Sequence, residues 1–587
     1  MGLLAIDTES TYTKGVRDAG SFGVIGYVNH PETEHYMVSL WCPEWSYVGP
    51  WAKAPLDRID ETTTLLSHNR SYDSAVLRRM WPLVKPGKWI CTADQAAKDQ
   101  MPRSLEGAAR VVLDVELDKS TRDEMSGKTL ASMSPEFMKR CEDYALDDAR
   151  FCYELHQKLE LFTELEQEAS AHTTWMGHRG FRVDRELLEK SHTLLTDTLF
   201  MLQKAVPWWE EKDAKGKTIP LTSPKALNRE CAKAGIPAPE STAKNNPAFD
   251  LWVEQYADKA PFVAAVAQLR SCNRLMTVVQ AMEDRRRGDR VPFGLKYFGA
   301  QHTGRWSGDE GLNVQNLPKK PMFGVDVRSL IIPREGHVFV SADYSQIEAR
   351  ILPWIAGDKA LLELLASGID IYEAHARATM GYTDPRPLKE GNPEMRSLSK
   401  VRVLGLGFKM GAVALKNFAK TNAGMVLSDL ECQQTVADYR NNNKAIVRLW
   451  GKFDGSMRTH CIQRGHTLYD MGMPSGRTIK YWDMHENGGI NASKVKGMPH
   501  GWWHAGVVTE NCVQGIARDI LSNAVVKLHR ASLPVVLHVH DEVLVEVPEA
   551  LAEEGVKAVT EIMEDLPDWA AGLPLKADAR ILHRYTK

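Results

Sequence analysis

This chain lacks the sequence features of a secreted or membrane-embedded protein. Its 587 residues contain no apolar run near the roughly 20 residues that a membrane span needs. The nine cysteines are scattered singles without a Cys-x-x-Cys pair, which indicates neither a disulfide framework nor a cysteine zinc site. No basic leader precedes the first apolar residues, and Ile6 stands where a myristoylation signal requires Ser or Thr. We therefore expect a cytosolic protein with reduced thiols.

A strong net charge is also missing, although the charge is unevenly distributed. The formal net charge is -3, whereas proteins that bind nucleic acids usually present basic surface to the phosphates. Residues 285–334 nevertheless contain ten Lys or Arg against four Asp or Glu, and residues 396–420 contain six basic residues and no acid. Basic runs are often only solvated faces. They indicate phosphate binding only where neighbouring motifs support it.

Two short apolar segments that end in a carboxylate are the most informative features present. Residues 338–343 and 535–545 have the pattern of buried β-strands, and the second predicts a tight hairpin with residues 540–542 at its tip. If the strands are neighbours, Asp343 and Asp541 can bind paired divalent ions for phosphoryl transfer. A lone Asp after a strand can equally cap a turn, so the interpretation depends on both.

The segments around these carboxylates, residues 343–348 and 540–542, resemble the two metal-binding palm motifs of family A DNA polymerases. The resemblance implies that Asp343 and Asp541 hold two Mg²⁺ ions, for which Mn²⁺ is an acceptable substitute. It also implies that Glu348 excludes a ribose 2′-hydroxyl. The remaining implied roles are catalysis for Glu542, nucleotide binding for Gln346 and DNA binding for His540.

Three N-terminal segments carry a second set of carboxylates. Asp7 and Glu9 share one face of a predicted strand, Asp73 lies on a predicted helix, and Tyr144 and Asp148 share a helix face at i and i+4. In order and spacing, these segments resemble the motifs of the DEDD 3′→5′ proofreading exonucleases, in the subtype with Tyr in its third motif. The resemblance implies that the four carboxylates bind two further metal ions and that Tyr144 orients the attacking water.

Polar segments at residues 303–318 and 510–519 resemble the parts of family A enzymes that hold the primer-template. Arg and Gln can donate to minor-groove acceptors that all correct base pairs present at similar places. The alternative for the first segment is an ordinary polar loop. The resemblance implies DNA contacts from Arg305, Gln315, Asn316, Asn511 and Gln514.

A basic segment, residues 396–411, resembles the nucleotide-binding helix of the family's fingers domain. Along a helix, cations and then apolar groups recur every four residues, at Arg396, Lys400, Leu404 and Phe408. Leu404 departs from the family, which usually has an aromatic residue there, and Tyr372 replaces a His that contacts phosphate, so that only a neutral phenol remains. The glycines inside this segment predict a helix that bends or lets a base approach closely.

Together the motifs predict an α/β protein with a ribonuclease H-like exonuclease domain followed by a right-hand polymerase. The expected parts are the exonuclease domain at 1–170, a short connecting element and thumb at 171–300, palm at 301–357, fingers at 358–510 and palm again at 511–587. No 5′-nuclease domain precedes the first strand, which with the fingers variant predicts a phage replicative enzyme in the bacterial cytoplasm. Its expected partners are primer-template DNA, dNTPs and processivity, helicase or primase factors, with no membrane.

Two other functions share part of these motifs. A single-subunit RNA polymerase has the palm carboxylates, although Glu348 and the exonuclease motifs argue against it. An exonuclease or DNA-binding protein with an inactive palm would retain metal-dependent degradation without extension. Ribonucleotide incorporation identifies the first alternative, and failure to extend a primer identifies the second.

Overall fold

The N-terminal unit, residues 3–158, is built on a five-stranded sheet with the order β3-β2-β1-β4-β5. The computed structural model describes residues 2–242 and 247–586 of the chain. The strands of this sheet are β1 (Leu3–Ser10), β2 (His35–Cys42), β3 (Trp45–Gly49), β4 (Thr64–Ser67) and β5 (Lys88–Cys91). Its helices are α1 (Ala19–Val28), α2 (Arg70–Met80), α3 (Thr92–Lys98), α4 (Leu105–Ala108), α5 (Ser120–Met125) and α6 (Pro135–Lys158).

Strand β1 occupies the centre of this sheet because it begins with an apolar run. Leu4, Ala5 and Ile6 are all buried, as expected for a strand covered on both faces. The strand pairs antiparallel with β2 and parallel with β4. Its polar second half therefore emerges from the buried centre of the sheet, which places Asp7 and Glu9 at the edge of a cavity.

A mainly helical segment follows, as the sequence predicts. It comprises α7 (Glu164–Arg179), β6 (Phe181–Val183), α8 (Arg185–Lys204), α9 (Pro224–Lys233), α10 (Pro247–Tyr256), α11 (Pro261–Arg285) and β7 (Arg290–Val291). Helices α8 and α11 pack along each other. Beyond them lies a small separate core that contains the fully buried Trp208.

The next part of the chain forms a two-stranded ribbon, a central strand and a group of helices. The strands are β8 (Gly294–Ala300), β9 (Arg305–Asp309), β10 (Ile331–Ile332) and β11 (His337–Tyr344). The helices are α12 (Ile347–Ala356), α13 (Lys359–Ala366), α14 (Ile371–Thr379), α15 (Leu388–Gly391), α16 (Pro393–Gly405), α17 (Ala412–Ala423), α18 (Asp429–Asn442) and α19 (Lys444–Arg464).

A four-stranded antiparallel sheet lies within residues 358–510, the region for which the sequence predicts the fingers. It consists of β12 (Thr467–Gly472), β13 (Thr478–Glu486), β14 (Ile490–Ser493) and β15 (His500–Trp503). The chain then continues through α20 (Ala505–Arg530), β16 (Val535–Val539), β17 (Glu542–Pro548), α21 (Ala552–Glu564) and β18 (Ala577–Leu582).

The last strands join β11 in a C-terminal sheet with the order β16-β17-β11-β18. All its pairings are antiparallel, and its residues belong to a large core with α20 and α21. None of the described helices is long and apolar enough to cross a membrane. The nine cysteines are unpaired, and eight of them are buried, whereas Cys461 on α19 is partly exposed.

Candidate active sites

The C-terminal sheet brings the two predicted palm carboxylates together. Asp343 ends the buried part of β11 and lies opposite Glu542 in the β11–β17 ladder. The backbone N–H of Tyr344 donates to the carbonyl oxygen of Asp541 over 3.2 Å, which fixes the hairpin tip beside the end of β11. Burial, together with the negative charge of Asp343, raises the pKa of Asp541 to about 7. The predicted hairpin and the neighbouring strands are confirmed.

This pair of carboxylates suits a hard divalent cation. Mg²⁺ is usually held by one or two carboxylates together with substrate phosphates, and the mutual repulsion of two acids is relieved by positive charge. Within residues 2–242 and 247–586, no group of three or more His, Cys, Asp or Glu side chains forms a ready metal-ligand set. The two palm carboxylates therefore form an open site rather than a complete set of metal ligands.

Glu542 follows Asp541 directly but points into a different environment. It is buried, and its carboxylate accepts hydrogen bonds from the Ser341 hydroxyl (2.7 Å) and the Tyr585 hydroxyl (3.0 Å). The fully buried Arg328 lies 3.5 Å from the same carboxylate. These contacts connect β11, β17 and the C-terminal segment, so that Glu542 braces the strand that carries Asp343.

A pocket of about 310 Å³ opens beside Asp541, and its wall includes Arg305, Gln315, Glu348 and His540. Arg305 forms an ion pair with Glu348 on the first turn of α12. Gln315 is buried, and its amide bonds to the hairpin: it donates to the carbonyl of residue 538 (2.6 Å) and accepts from the N–H of His540 (3.0 Å). Gln346 precedes α12 in a left-handed conformation, and Asn316 is exposed.

On helix α20, Asn511 and Gln514 differ in burial and in their partners. Asn511 is buried, and its amide donates to the Tyr481 hydroxyl over 3.1 Å. Gln514 instead donates to Glu510, four residues earlier on the same face, over 3.0 Å. Burial raises the pKa of Glu510, and the negative charge of Glu348 raises it further. Because Glu348 lines the pocket, Glu510 lies near it. Glu510 was missed, although its i, i+4 spacing to Gln514 could have identified it.

The predicted basic helix is shorter than its sequence pattern indicates. The α-helix ends at Gly405, and Phe408 lies in a 3₁₀ turn followed by Lys409 in a left-handed conformation, so the helical stripe predicted to reach Phe408 is wrong beyond residue 405. A Cβ on Gly407 would lie 2.6 Å from Leu352. The glycine thus allows close packing between helices.

The remaining members of the stripe lie on α16. Arg396 pairs with Asp370 at 2.6 Å, and its guanidinium lies over the Tyr372 ring at 5.2 Å. Lys400 is partly exposed one turn later. Leu404 exposes 37% of its surface, so its side chain is available to a ligand.

A cavity of about 1190 Å³ lies between the N-terminal unit and the β8–β9 ribbon, and all the predicted exonuclease residues line it. Burial and the charges of the neighbouring carboxylates raise the pKa of Asp7 well above its usual range and that of Glu9 to about 8. Asp73 accepts from Thr8 (2.7 Å) and from Ser67. The four predicted acids therefore lie around one cavity.

This cluster fits bound cations because it concentrates negative charge with little compensation. One oxygen of Asp7, Oδ2, is buried without a hydrogen-bond partner. The carboxylates of Asp73 and Asp148 accept hydrogen bonds from protein donors.

Lys119 and Arg122 compensate part of this charge, and neither was identified from the sequence. Lys119 contacts Tyr144 and Asp148 directly. Its ammonium group donates to the Tyr144 oxygen (3.0 Å) and to both oxygens of Asp148 (3.2 Å), and it lies 4.7 Å from the centre of the Tyr144 ring. It precedes α5 in an irregular segment without periodicity. No sequence signal distinguishes it from other surface lysines.

Comparisons with known proteins agree with this geometry. The family model for DNA polymerase family A matches residues 201–587. The DNA polymerase of Bacillus phage SP02 is 28% identical, with 89% of each chain covered. The DNA polymerase I of Pseudomonas aeruginosa is 24% identical over 96% of this chain and 61% of its own length, and the thermostable DNA polymerase I of Thermus filiformis is 27% identical over 76% and 51%.

A solved structure shows the same fold. It is the POL domain of Pol1 from M. smegmatis in complex with DNA primer-template and dNTP, with a TM-score of 0.70, 20% identity and coverage of 99% of this chain and 95% of that one. This likeness confirms a right-hand polymerase fold of mixed α/β type. Because the family model matches more than half of its residues, the chain belongs to DNA polymerase family A.

Proposed function

We propose that this protein extends a primer 3′ end with deoxynucleotides under the direction of a template and removes mispaired ends in the 3′→5′ direction. The observation that carries the polymerase part is the meeting of Asp343 and Asp541 at the end of β11, beside the pocket lined by Arg305 and Glu348. Family membership supports the same reaction.

In the polymerase site, Asp343 and Asp541 would hold two Mg²⁺ ions, with Mn²⁺ as a substitute. Bound there, the ions would supply Lewis-acid activation of the primer hydroxyl and charge neutralisation on the triphosphate. Arg396 and Lys400 would contact the phosphates, and Glu348 would exclude a ribose 2′-hydroxyl. Glu542 would act by holding the strands in register.

In the exonuclease site, Asp7, Glu9, Asp73 and Asp148 would hold the second pair of ions. Tyr144 would orient the attacking water, and Lys119 would hold Tyr144 and Asp148 in place. The partners that follow from this function are primer-template DNA and dNTPs, with processivity or helicase–primase factors. The likeness to a phage polymerase over nearly its whole length supports replication of a phage genome in the host cytoplasm.

The polymerase assignment is tested with the charge-removing variant Asp541→Asn. Asp578→Asn is the matched control, because Asp578 lies opposite Asp343 on β18 but its side chain is 64% exposed. We expect the first variant to lose primer extension and the control to keep it. Extension by Asp541→Asn at the wild-type rate would refute the assignment.

The exonuclease assignment has an equally close control on α6. Asp148→Asn should abolish degradation of a 5′-labelled single strand and preserve extension, whereas Asp147→Asn should preserve both, because Asp147 is 56% exposed and pairs with Arg150 outside the cavity. If Asp148→Asn still shortens the strand, the proofreading site lies elsewhere.

A further inference from the structure

A buried glutamine of the N-terminal unit, Gln100, contacts the β12–β15 sheet. Gln100 follows α3, is 1% exposed and has a left-handed backbone conformation with φ 56°. Its side-chain oxygen accepts from the N–H of Lys480 (2.6 Å), and its side-chain nitrogen donates to the carbonyls of Lys480 (2.8 Å) and Lys494 (2.6 Å). Its own carbonyl accepts from the N–H of Lys496 (3.0 Å). We call this set of contacts the Gln100 latch.

The Gln100 latch takes the place of a neighbouring strand where the pairing between β13 and β14 ends. Pairing between β13 and β14 reaches Trp482 and Ser493, and β14 ends there. Lys480 and Lys494 lie beyond that last pair. The primary amide of Gln100 supplies the donor and the acceptor that a neighbouring strand would supply, so that backbone groups of Lys480 and Lys494 are paired.

Charge and apolar packing reinforce the same junction. The Lys480 ammonium pairs with Asp99 at 2.5 Å, and both side chains are largely buried. Asp99 also accepts from the N–H of Glu160 over 3.0 Å. The Trp482 ring packs against a cluster of the N-terminal unit that includes Leu105 and Phe151. The junction is therefore packed like a protein interior, with a largely buried ion pair and apolar contacts.

The exonuclease cavity depends on how the two parts are held together. Its wall includes Lys296 of β8 and Asp309 of β9 as well as the four carboxylates. Glu310, just after β9, accepts from the N–H of Val24 over 2.8 Å. Strand β9 begins at Arg305 in the polymerase pocket, so its two ends, roughly 14 Å apart at the usual rise of a strand, lie in the two sites.

We propose that the Gln100 latch fixes the N-terminal unit against the β8–β9 ribbon so that a melted primer 3′ end can pass from the polymerase pocket into the exonuclease cavity. The inference rests on the proposed exonuclease function. The latch is a positioning contact: it touches neither the carboxylates nor the polymerase pocket. All four carboxylates belong to the N-terminal unit, so a free single strand reaches them without the latch, whereas a duplex held by the polymerase body requires the aligned junction.

The test uses Gln100→Met, which keeps an unbranched side chain and removes the hydrogen-bonding amide. Lys480→Met is a second variant that removes the ion pair with Asp99 and leaves the backbone contacts in place. Gln434→Leu is the control, since Gln434 on α18 is exposed and bonds only to Asp438. Each full-length protein is assayed for degradation of a single strand and of a mispaired primer on a template, and for extension of a matched primer.

We expect the ratio of mispaired-primer to single-strand degradation to fall about tenfold in Gln100→Met, as loss of one or two hydrogen bonds suggests, and in the same direction in Lys480→Met. Single-strand degradation and matched extension should stay within about twofold of wild type. An unchanged ratio in both variants, or an equal fall in both degradation rates, overturns the proposal. Absence of single-strand degradation in the wild-type protein would instead refute the exonuclease function.

Discussion

Removal of the Glu542 carboxylate should mainly lower the stability of the C-terminal sheet rather than remove a catalytic group. In Glu542→Ala, Arg328, whose side chain is 1% exposed, would become a buried cation without its carboxylate. Breaking a buried pair from one side typically costs about 3–5 kcal/mol. Glu542→Gln keeps the shape and one acceptor, so we expect a cost near 2 kcal/mol, the range of one charge-assisted hydrogen bond. Tyr585→Phe removes the hydroxyl that donates to Glu542 and accepts from Arg328, and it should cost about 1.5–3 kcal/mol, the range of hydrogen bonds to charged groups.

Hydrogen exchange of the backbone amides in β11 and β17 measures this loss locally, because exchange there reports the free energy of opening these strands. Primer extension is measured in parallel at a temperature where each variant remains folded. We expect Glu542→Gln to extend primers at a reduced but measurable rate. If Glu542→Gln abolished extension with unchanged exchange, Glu542 would act directly in catalysis, and if Glu542→Ala exchanged like wild type, the buried ion pair would contribute nothing.

Three further changes test other parts of the two sites. Lys119→Met should lower the rate of single-strand degradation about tenfold or more, since charge-assisted hydrogen bonds contribute about 1.5–3 kcal/mol. Lys128→Met is the control and should keep the wild-type rate, because the Lys128 ammonium lies over Phe137 outside the cavity. Equal rates in the two variants would exclude a role for Lys119. Leu404→Tyr, measured in an Asp148→Asn background, should raise the dideoxy-to-deoxy incorporation ratio about tenfold or more, because a hydroxyl would satisfy an otherwise unpaired polar group; an unchanged ratio would mean that residue 404 does not face the sugar. Gly506→Ala should raise the KM for dNTPs, because the new Cβ would lie 2.3 Å from the Phe408 carbonyl oxygen, whereas Gly501→Ala has open space and serves as control; an unaffected KM would show that the Phe408 turn does not contribute to nucleotide binding.

The elements that hold the metal-binding candidates could be predicted because short-range patterns determine them. An apolar run followed by an acid defines both β1 and β11, and the tip at residues 540–541 separates two apolar runs. The i, i+4 relation of Tyr144 and Asp148 holds on α6. In each case the residues that specify the element also carry the site.

Features that depend on distant partners could not be predicted in this way. The end of α16 at Gly405 reflects packing of Gly407 against Leu352, which no periodicity records. Asn511 lies inward because Tyr481, on a strand that the sequence did not reveal, offers a hydroxyl. Lys119 and Gln100 act across long sequence separations from irregular or capping positions. The proposed domain boundaries stay predictions for the same reason.

The unequal burial of the cysteines makes the protein suitable for site-selective labelling without prior removal of native thiols. Only Cys461 is partly exposed, and it lies on α19, in the segment predicted to form the fingers. A thiol-reactive fluorophore should therefore attach there in preference to the eight buried cysteines. The reaction should be slower than at a fully exposed thiol, because burial raises the pKa of Cys461. A dye at this single position would report, in real time, any movement of this segment when nucleotide is added.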